Sequence, residues 1–309
     1  MLAPGGEVDE QSELASAAIA SRRMYASFIA DLEQASQSTI DYQECGALEL
    51  AYSGPELQAM ERRAAFQATL GIPSKAVSVG SIRAFWPRVQ TEALAGARFY
   101  PEDAIVNPRQ VVSALIAANR SLGVTLIENC PVTHLNVTEE AVSLTAGNKV
   151  WNHVTVVVAA GAWSGGIQIA GVPQLPPSEP VKGHLVGYLQ PEQTCTTIIR
   201  SANIYLLQRA NGLLLAGASV EHVGFEREVR PEITAKLAAD AGAILPHLTE
   251  TTPTEIWMGF RPGSDALHVG PWHSNRLFLA YGHFRNGILL APWTAERLAG
   301  AIAPSLEMR

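Results

Sequence analysis

Apolar residues recur at helical spacing over residues 8–35, at Leu14, Ala18, Met24, Ala26, Phe28, Ile29 and Leu32. Glu7, Asp9 and Glu10 stand where a helix N-terminal dipole favours acids, so the pattern predicts one long amphipathic helix. Residues 46–52 have strand character, Gly54-Pro55 opens a helix over 56–70, and a short element over 81–86 stops at Pro87. Beyond Pro108 the pattern predicts a helix over 109–122 closed by Gly123, then a strand over 124–128. Strands at 132–137, 141–145 and 150–153, separated by polar turns, form an antiparallel run. It leads into 154–158, whose β-branched continuity predicts a strand buried on both faces.

The rhythm then changes. Pro173, Pro176, Pro177 and Pro180 punctuate residues 171–180 and mark a domain crossover. Strands follow at 185–189, 196–199, 205–208 and 213–216, the last two joined by the hairpin turn Ala210-Asn211-Gly212. A helix over 231–245, a strand over 276–281 and a closing helix over 288–302 complete the chain. The alternation implies an α/β part and an α+β part.

Composition narrows the function classes. A chain of 309 residues holds one large domain or two intermediate ones, and 47% hydrophobic with 17% charged residues is ordinary for a globular protein. The net charge is −7 and the basic residues stand singly or in pairs such as Arg22-Arg23 and Arg62-Arg63, without the stripe that nucleic-acid binding needs. Cys45, Cys130 and Cys195 are far apart and form no C-x-x-C pair, which predicts reduced thiols rather than a disulfide framework or zinc site. The eight histidines show no metal-ligand spacing. The first residues lack a basic and an apolar leader region, and no apolar run approaches the ~20 residues of a membrane span. A cytoplasmic protein without membrane, metal or nucleic-acid partners is the expectation.

The candidate chemistry lies in phrases that occur in a fixed order. These are Met1-Leu2-Ala3-Pro4, the run Val157-Val158-Ala159-Ala160-Gly161-Ala162-Trp163-Ser164, Pro180-Val181-Lys182-Gly183, and residues 205–209 with 211–221. Trp257-Met258-Gly259-Phe260-Arg261-Pro262-Gly263 and residues 282–292 follow. Together they resemble the D-amino-acid oxidase-like flavoprotein superfamily, and most closely the bacterial glycine oxidases of thiamine biosynthesis. The likeness covers nearly the whole chain.

That resemblance implies an incomplete doubly wound FAD-binding domain, residues 1–40, 106–179 and 259–309, with a discontinuous substrate domain of antiparallel sheet and helices, residues 41–105 and 180–258. No Gly-x-Gly-x-x-Gly turn occurs before these phrases, so the expectation is a chain that starts inside the fold, without the N-terminal βαβ unit that holds the FAD pyrophosphate. The implied cofactor contacts are Val132 toward adenine, Gly161 and Trp163 at a strand end, and Gly282, His283, Phe284, Arg285, Asn286, Gly287, Ile288 and Leu289 along the isoalloxazine, through backbone N–H groups. Arg261 corresponds to a bidentate carboxylate clamp, a task suited to a planar guanidinium. Tyr205 corresponds to a hydroxyl reaching the same carboxylate, and Arg285 adds positive potential or makes a structural ion pair.

No acid–base catalyst is implied, because positioning the substrate Cα is much of the task. The expected reaction oxidises glycine or another small amine to an imine, with dioxygen reduced to peroxide; a homo-oligomer is allowed. A D-amino-acid or sarcosine dehydrogenase and a flavin-free binding or assembly protein are the alternatives. Two departures from the family touch the substrate side: Gln208 stands where proline is common, and the loop within residues 262–271 is shorter.

Overall fold

The computed structural model describes residues 1–307. Its helices are α1 (Pro4–Glu7), α2 (Glu13–Ser36), α3 (Gly54–Thr69), α4 (Val79–Phe85), α5 (Pro108–Ser121), α6 (Pro231–Ile244) and α7 (Gly287–Glu307). Strands in the first half are β1 (Tyr42–Gln43), β2 (Ala47–Ala51), β3 (Lys75–Val77), β4 (Gly96–Tyr100), β5 (Ile105–Val106), β6 (His134–Val137), β7 (Val142–Ala146) and β8 (Lys149–His153). They continue as β9 (Val156–Val158), β10 (Gln168–Ala170), β11 (Glu179–Leu189), β12 (Ile198–Arg200), β13 (Tyr205–Gln208), β14 (Leu213–Gly217), β15 (Glu255–Gly263), β16 (His268–Pro271) and β17 (Leu277–Tyr281). The result is a mixed α/β fold.

Eight strands in the order β15-β11-β14-β13-β12-β2-β4-β3 make the largest sheet, antiparallel except for the β12–β2 pair. A four-stranded sheet β10-β6-β7-β8 and a three-stranded sheet β16-β17-β9 are mixed, with β6–β10 and β9–β17 parallel. Each face of the large sheet carries its own core. Tyr25, Ile29 and Leu32 of α2, with α5 and the start of α7, pack toward Leu207 and Leu215. Leu206, Leu214 and Ala216, of opposite parity on the same strands, meet Leu237, Ala241 and Ile244 of α6. This is period-two alternation with both faces covered.

Local chemistry sets the element ends. The helix expected over 8–35 is one helix that starts later, at Glu13, because Ser12 caps α2, its Oγ accepting from the Ala15 N–H at 3.1 Å, and a separate one-turn α1 precedes it. Ser53 and Asn107 cap α3 and α5 in the same way, each followed by proline within the first turn. Gln208 uses its amide fully. Its Oε1 accepts from the Thr194 and Cys195 N–H groups at 2.7 and 2.9 Å, and its Nε2 donates to Glu192 O at 2.8 Å, tying the 190–197 loop to the β13–β14 hairpin.

Two expectations fail, and a third element is longer than expected. Residues 124–128 form no strand, since no described strand lies beside them, and Ile127 is 60% exposed. A run of β-branched residues without a ladder partner leaves its backbone groups to water. The strand at 154–158 shrinks to β9 with Val157 exposed, because only β17 pairs with it. The crossover at 171–180 ends in strand, as β11 already begins at Glu179. Pro180 stands opposite Pro262, a rung at which neither residue donates an N–H. Among the described residues no helix is long and apolar enough to cross a membrane.

Candidate functional site

Strand parity places Arg261 and Tyr205 on one face of the large sheet. Arg261 pairs with Val181 on β11, Gly183 lies two residues along on that face, and Leu185 and Tyr205 both pair with Gly217 of β14. Glycine on the intervening strands lets these side chains lie close against the sheet. A Cβ on Gly217 would lie 2.9 Å from Tyr205 Oη and 2.8 Å from Leu185 Cδ2, and one on Gly183 would run into the Arg261 guanidinium. Gly183 and Gly217 stand in sequence among the family-like segments, but only the strand register reveals their role as clearance for these two side chains.

Arg261 Nη1 donates to Ser219 O at 3.0 Å and lies 3.5 Å from Lys182 O. No carboxylate stands within 4.0 Å of its guanidinium among the described residues. Burial therefore lowers its pKa, partly offset by nearby Tyr205, while Arg285 adds to the lowering. Burial likewise raises the Tyr205 pKa, against the attraction of Arg261 and Arg209. Arg209, two rungs from Tyr205 in parity, is also buried, and its Nη1 has no acceptor among the described residues. Two desolvated guanidiniums flank the Tyr205 hydroxyl, and their charge, only partly offset by Glu7, Glu221 and Asp41, favours an anion there.

The Gly183→Ala substitution follows from this geometry. The new methyl displaces a flexible guanidinium rather than backbone, so the fold is retained, while affinity for a small carboxylate falls by roughly tenfold, the equivalent of about 1.4 kcal/mol. Calorimetric titration with glycolate at constant pH checks it.

The 282–289 run adopts a tight turn at the end of β17. Gly282 has φ 85° and Phe284 φ 48°, the N–H of Asn286 donates to His283 O at 2.8 Å, and Gly287 opens the 21-residue helix α7. A side chain on Gly282 would strike the Ala266 carbonyl oxygen. Leu289 is buried in the core, and Ile288 O accepts from Tyr25 Oη. The parallel β9 ends beside β17, bringing Gly161, φ 56°, to the same end of the small sheet. Val132 is half-buried against the core of these two sheets. Trp163 stacks on Phe225 with ring centroids 5.3 Å apart and is 52% exposed, so it is no core aromatic.

Two side chains of the run are already engaged. Arg285 Nε donates to Glu7 Oε2 at 2.6 Å, an ion pair linking the turn before α7 to α1 across 278 positions that sequence spacing could not reveal. Burial raises the Glu7 pKa against the pull of Arg285. His283 Nε2 meets Thr294 Oγ1 at 2.9 Å, and burial lowers its pKa to about 4.

A neutral His283 makes stability depend on pH. Its folded pKa is below the unfolded value, so the unfolded chain binds the extra proton as pH falls from about 6.5 to about 4, and stability falls through that window by up to about 3 kcal/mol. Urea unfolding at pH 7 and pH 4 is expected to show this loss in the wild type and to lack most of it in His283→Gln.

Comparison with known proteins points the same way. Residues 1–301 match the family model described as DAO, FAD dependent oxidoreductase. The chain is 31% identical over 310 residues to the "Bifunctional protein ThiO/ThiG" of Nostoc sp., covering 98% of this chain and 46% of that protein. It is 29% identical over 306 residues to the glycine oxidase of Geobacillus kaustophilus, covering 98% of this chain and 81% of that enzyme. The chain thus spans about half the length of the bifunctional relatives. The crystal structure of the Geobacillus glycine oxidase superposes with a TM-score of 0.91 at 26% identity, covering 98% of this chain and 82% of that one.

Proposed function

Because the chain belongs to the DAO family of FAD-dependent oxidoreductases, we propose that it oxidises glycine or another small amine to the imine, with Arg261 and Tyr205 holding the substrate carboxylate. The observation that carries this is the half-buried Arg261 guanidinium, without a carboxylate partner among the described residues and on one face with the Tyr205 hydroxyl. A carboxylate between them satisfies donors that the fold leaves without a carboxylate in contact.

FAD, when bound, accepts the electron pair and hydrogen lost from the amine carbon and passes the electrons to dioxygen, giving peroxide. The residues present fit its isoalloxazine end. The turn at Gly282 and Phe284 exposes backbone, the first N–H groups of α7 have no partner inside that helix, and the Cβ position of Gly161 faces open space. We assign Gly282, His283, Phe284, Arg285, Asn286, Gly287, Ile288 and Leu289 to the ring, Gly161 and Trp163 to its flank, and Val132 to the adenine end. His283 contributes backbone only, since its ring is held neutral by burial and bonded to Thr294. Arg285, tied to Glu7, contributes long-range potential instead of a direct clamp.

The chain's own work is positional. Arg261 and Tyr205 fix the carboxylate, and Gly183 and Gly217 give these two side chains the clearance to take up their positions. Arg261 and Arg209, each desolvated by burial, with Arg285 nearby, favour binding of the amine in its neutral form, the form that can be oxidised, against the opposing charges of Glu7, Asp41 and Glu221. With glycine as substrate the imine is the unit that thiamine biosynthesis, the setting implied by the resemblance, would consume. The division into residues 1–40, 106–179 and 259–309 against 41–105 and 180–258 is supported by the large sheet, whose strands come from 47–100 and 179–263, so β15 belongs to both parts. Flavin reduction by glycine in an FAD-loaded chain tests the function.

A further inference from the structure

At the other end of the large sheet a cleft of about 490 Å³ opens between the edge strand β3, helix α4 and the 190–197 loop. Its volume lies within the range of small-molecule sites. Trp86 and Phe99 form the wall, with ring centroids 5.8 Å apart and planes tilted by 43°. Phe85 continues it to the rim, 6.1 Å from Trp86 by centroid. Local structure explains this arrangement: Ser78 caps α4, Pro87 ends it, and the last helical residue is left with its phenyl ring 73% exposed.

The polar groups are few and placed. Trp86 Nε1 donates to Thr197 Oγ1 at 3.0 Å, which locks the indole against the 190–197 loop, and Thr196 lines the cleft beside it. At the mouth Lys75 Nζ lies 5.7 Å from the centroid of Phe99, held over the ring by cation–π attraction. No carboxylate is within 4.0 Å of Lys75 among the described residues. The cleft therefore combines a wall of three aromatic rings set at angles to one another, one uncompensated cation at its edge and threonine hydroxyls in its lining.

We infer that this cleft binds a small planar aromatic molecule carrying an anionic group, its ring stacked on Trp86 with Phe85 and Phe99 meeting it at an angle and the anion paired with Lys75. Aromatic faces select a flat ligand, and the ammonium selects against neutral and cationic ones. β3 and β15 are at opposite ends of the eight-stranded order, on the order of 30 Å apart at about 4.8 Å per strand, so the cleft is separate from the Arg261 site. The inference needs no flavin, and its failure leaves the proposed oxidation untouched.

The test is calorimetric titration of the full chain with indole-3-acetate and, as a cationic control of the same ring system, tryptamine. Saturable binding of indole-3-acetate is expected, at least tenfold tighter than tryptamine. Lys75→Glu and Phe85→Ala, both at exposed positions, are each expected to weaken it at least tenfold with circular dichroism unchanged. Equal affinity for the two probes, unaltered binding in both variants, or no heat at millimolar indole-3-acetate overturns the inference.

Discussion

Arg261→Met is expected to raise KM for glycine by roughly 100-fold, the loss of about 3 kcal/mol from a charge-assisted bidentate contact, with the fold intact. The side chain is half-buried and has carbonyl oxygens, rather than a carboxylate, as protein partners. Removing a desolvated cation that no protein anion neutralises therefore changes stability by no more than about 1 kcal/mol. Loss of carboxylate binding with unchanged unfolding separates this role from a structural one. Arg261→Lys keeps the charge and loses the fork, so it recovers only part of the affinity. Titration with glycolate alongside urea unfolding of all three proteins checks both halves. A variant that binds glycolate like the wild type removes Arg261 from the substrate site.

Gly282→Val carries the second large effect, and acts through backbone. The position has φ 85°, where a β-branched residue is costly by about 1–2 kcal/mol, and its Cβ would strike a backbone oxygen at Ala266 that cannot swing aside. A total loss of about 3 kcal/mol or more is expected, with the turn leading into α7 displaced and flavin affinity lost. Gly161→Ala is the contrast. Its φ is also positive at 56°, yet nothing lies within 4 Å of the new methyl, so the cost is about 1 kcal/mol. Equal unfolding midpoints for these two variants would show that the Ala266 contact does not constrain the 282–289 turn.

Much of the fold was legible where one residue pattern serves one local structure. Helix α5 shows its proline start and glycine stop, and the β13–β14 hairpin shows its Asn211-Gly212 turn; Gly212 indeed has φ 85°. Tyr205, Leu207 and Arg209 alternate with Leu206 and Gln208, so the side on which Tyr205 lies follows from period two alone. Strands that depend on distant partners were not legible. Residues 124–128 have the same apolar, β-branched character as β9, yet only β9 finds a neighbour, and nothing in either segment encodes that difference. The length of β11 was hidden by Pro180, whose rung opposite Pro262 is visible only once the register is known.

The candidate site divides in the same way. Arg261, Tyr205 and the 282–289 run could be found as phrases in order, because close backbone approach and a planar cation restrict the residues allowed. Glu7 could not, since its pairing with Arg285 spans nearly the whole chain. The clearances at Gly183 and Gly217 were equally hidden, as a glycine records space only when its neighbours are known. Gln208, a departure from the family pattern, proves to be a buried amide binding three backbone groups of the 192–195 segment.

The most direct measurement is anaerobic mixing of the FAD-loaded chain with glycine, following the visible flavin absorbance. Bleaching by glycine that is lost in Arg261→Met is the predicted result, with the colour restored on admitting air. A chain that holds FAD and keeps its colour with glycine, sarcosine and D-alanine alike contradicts amine oxidation at this site.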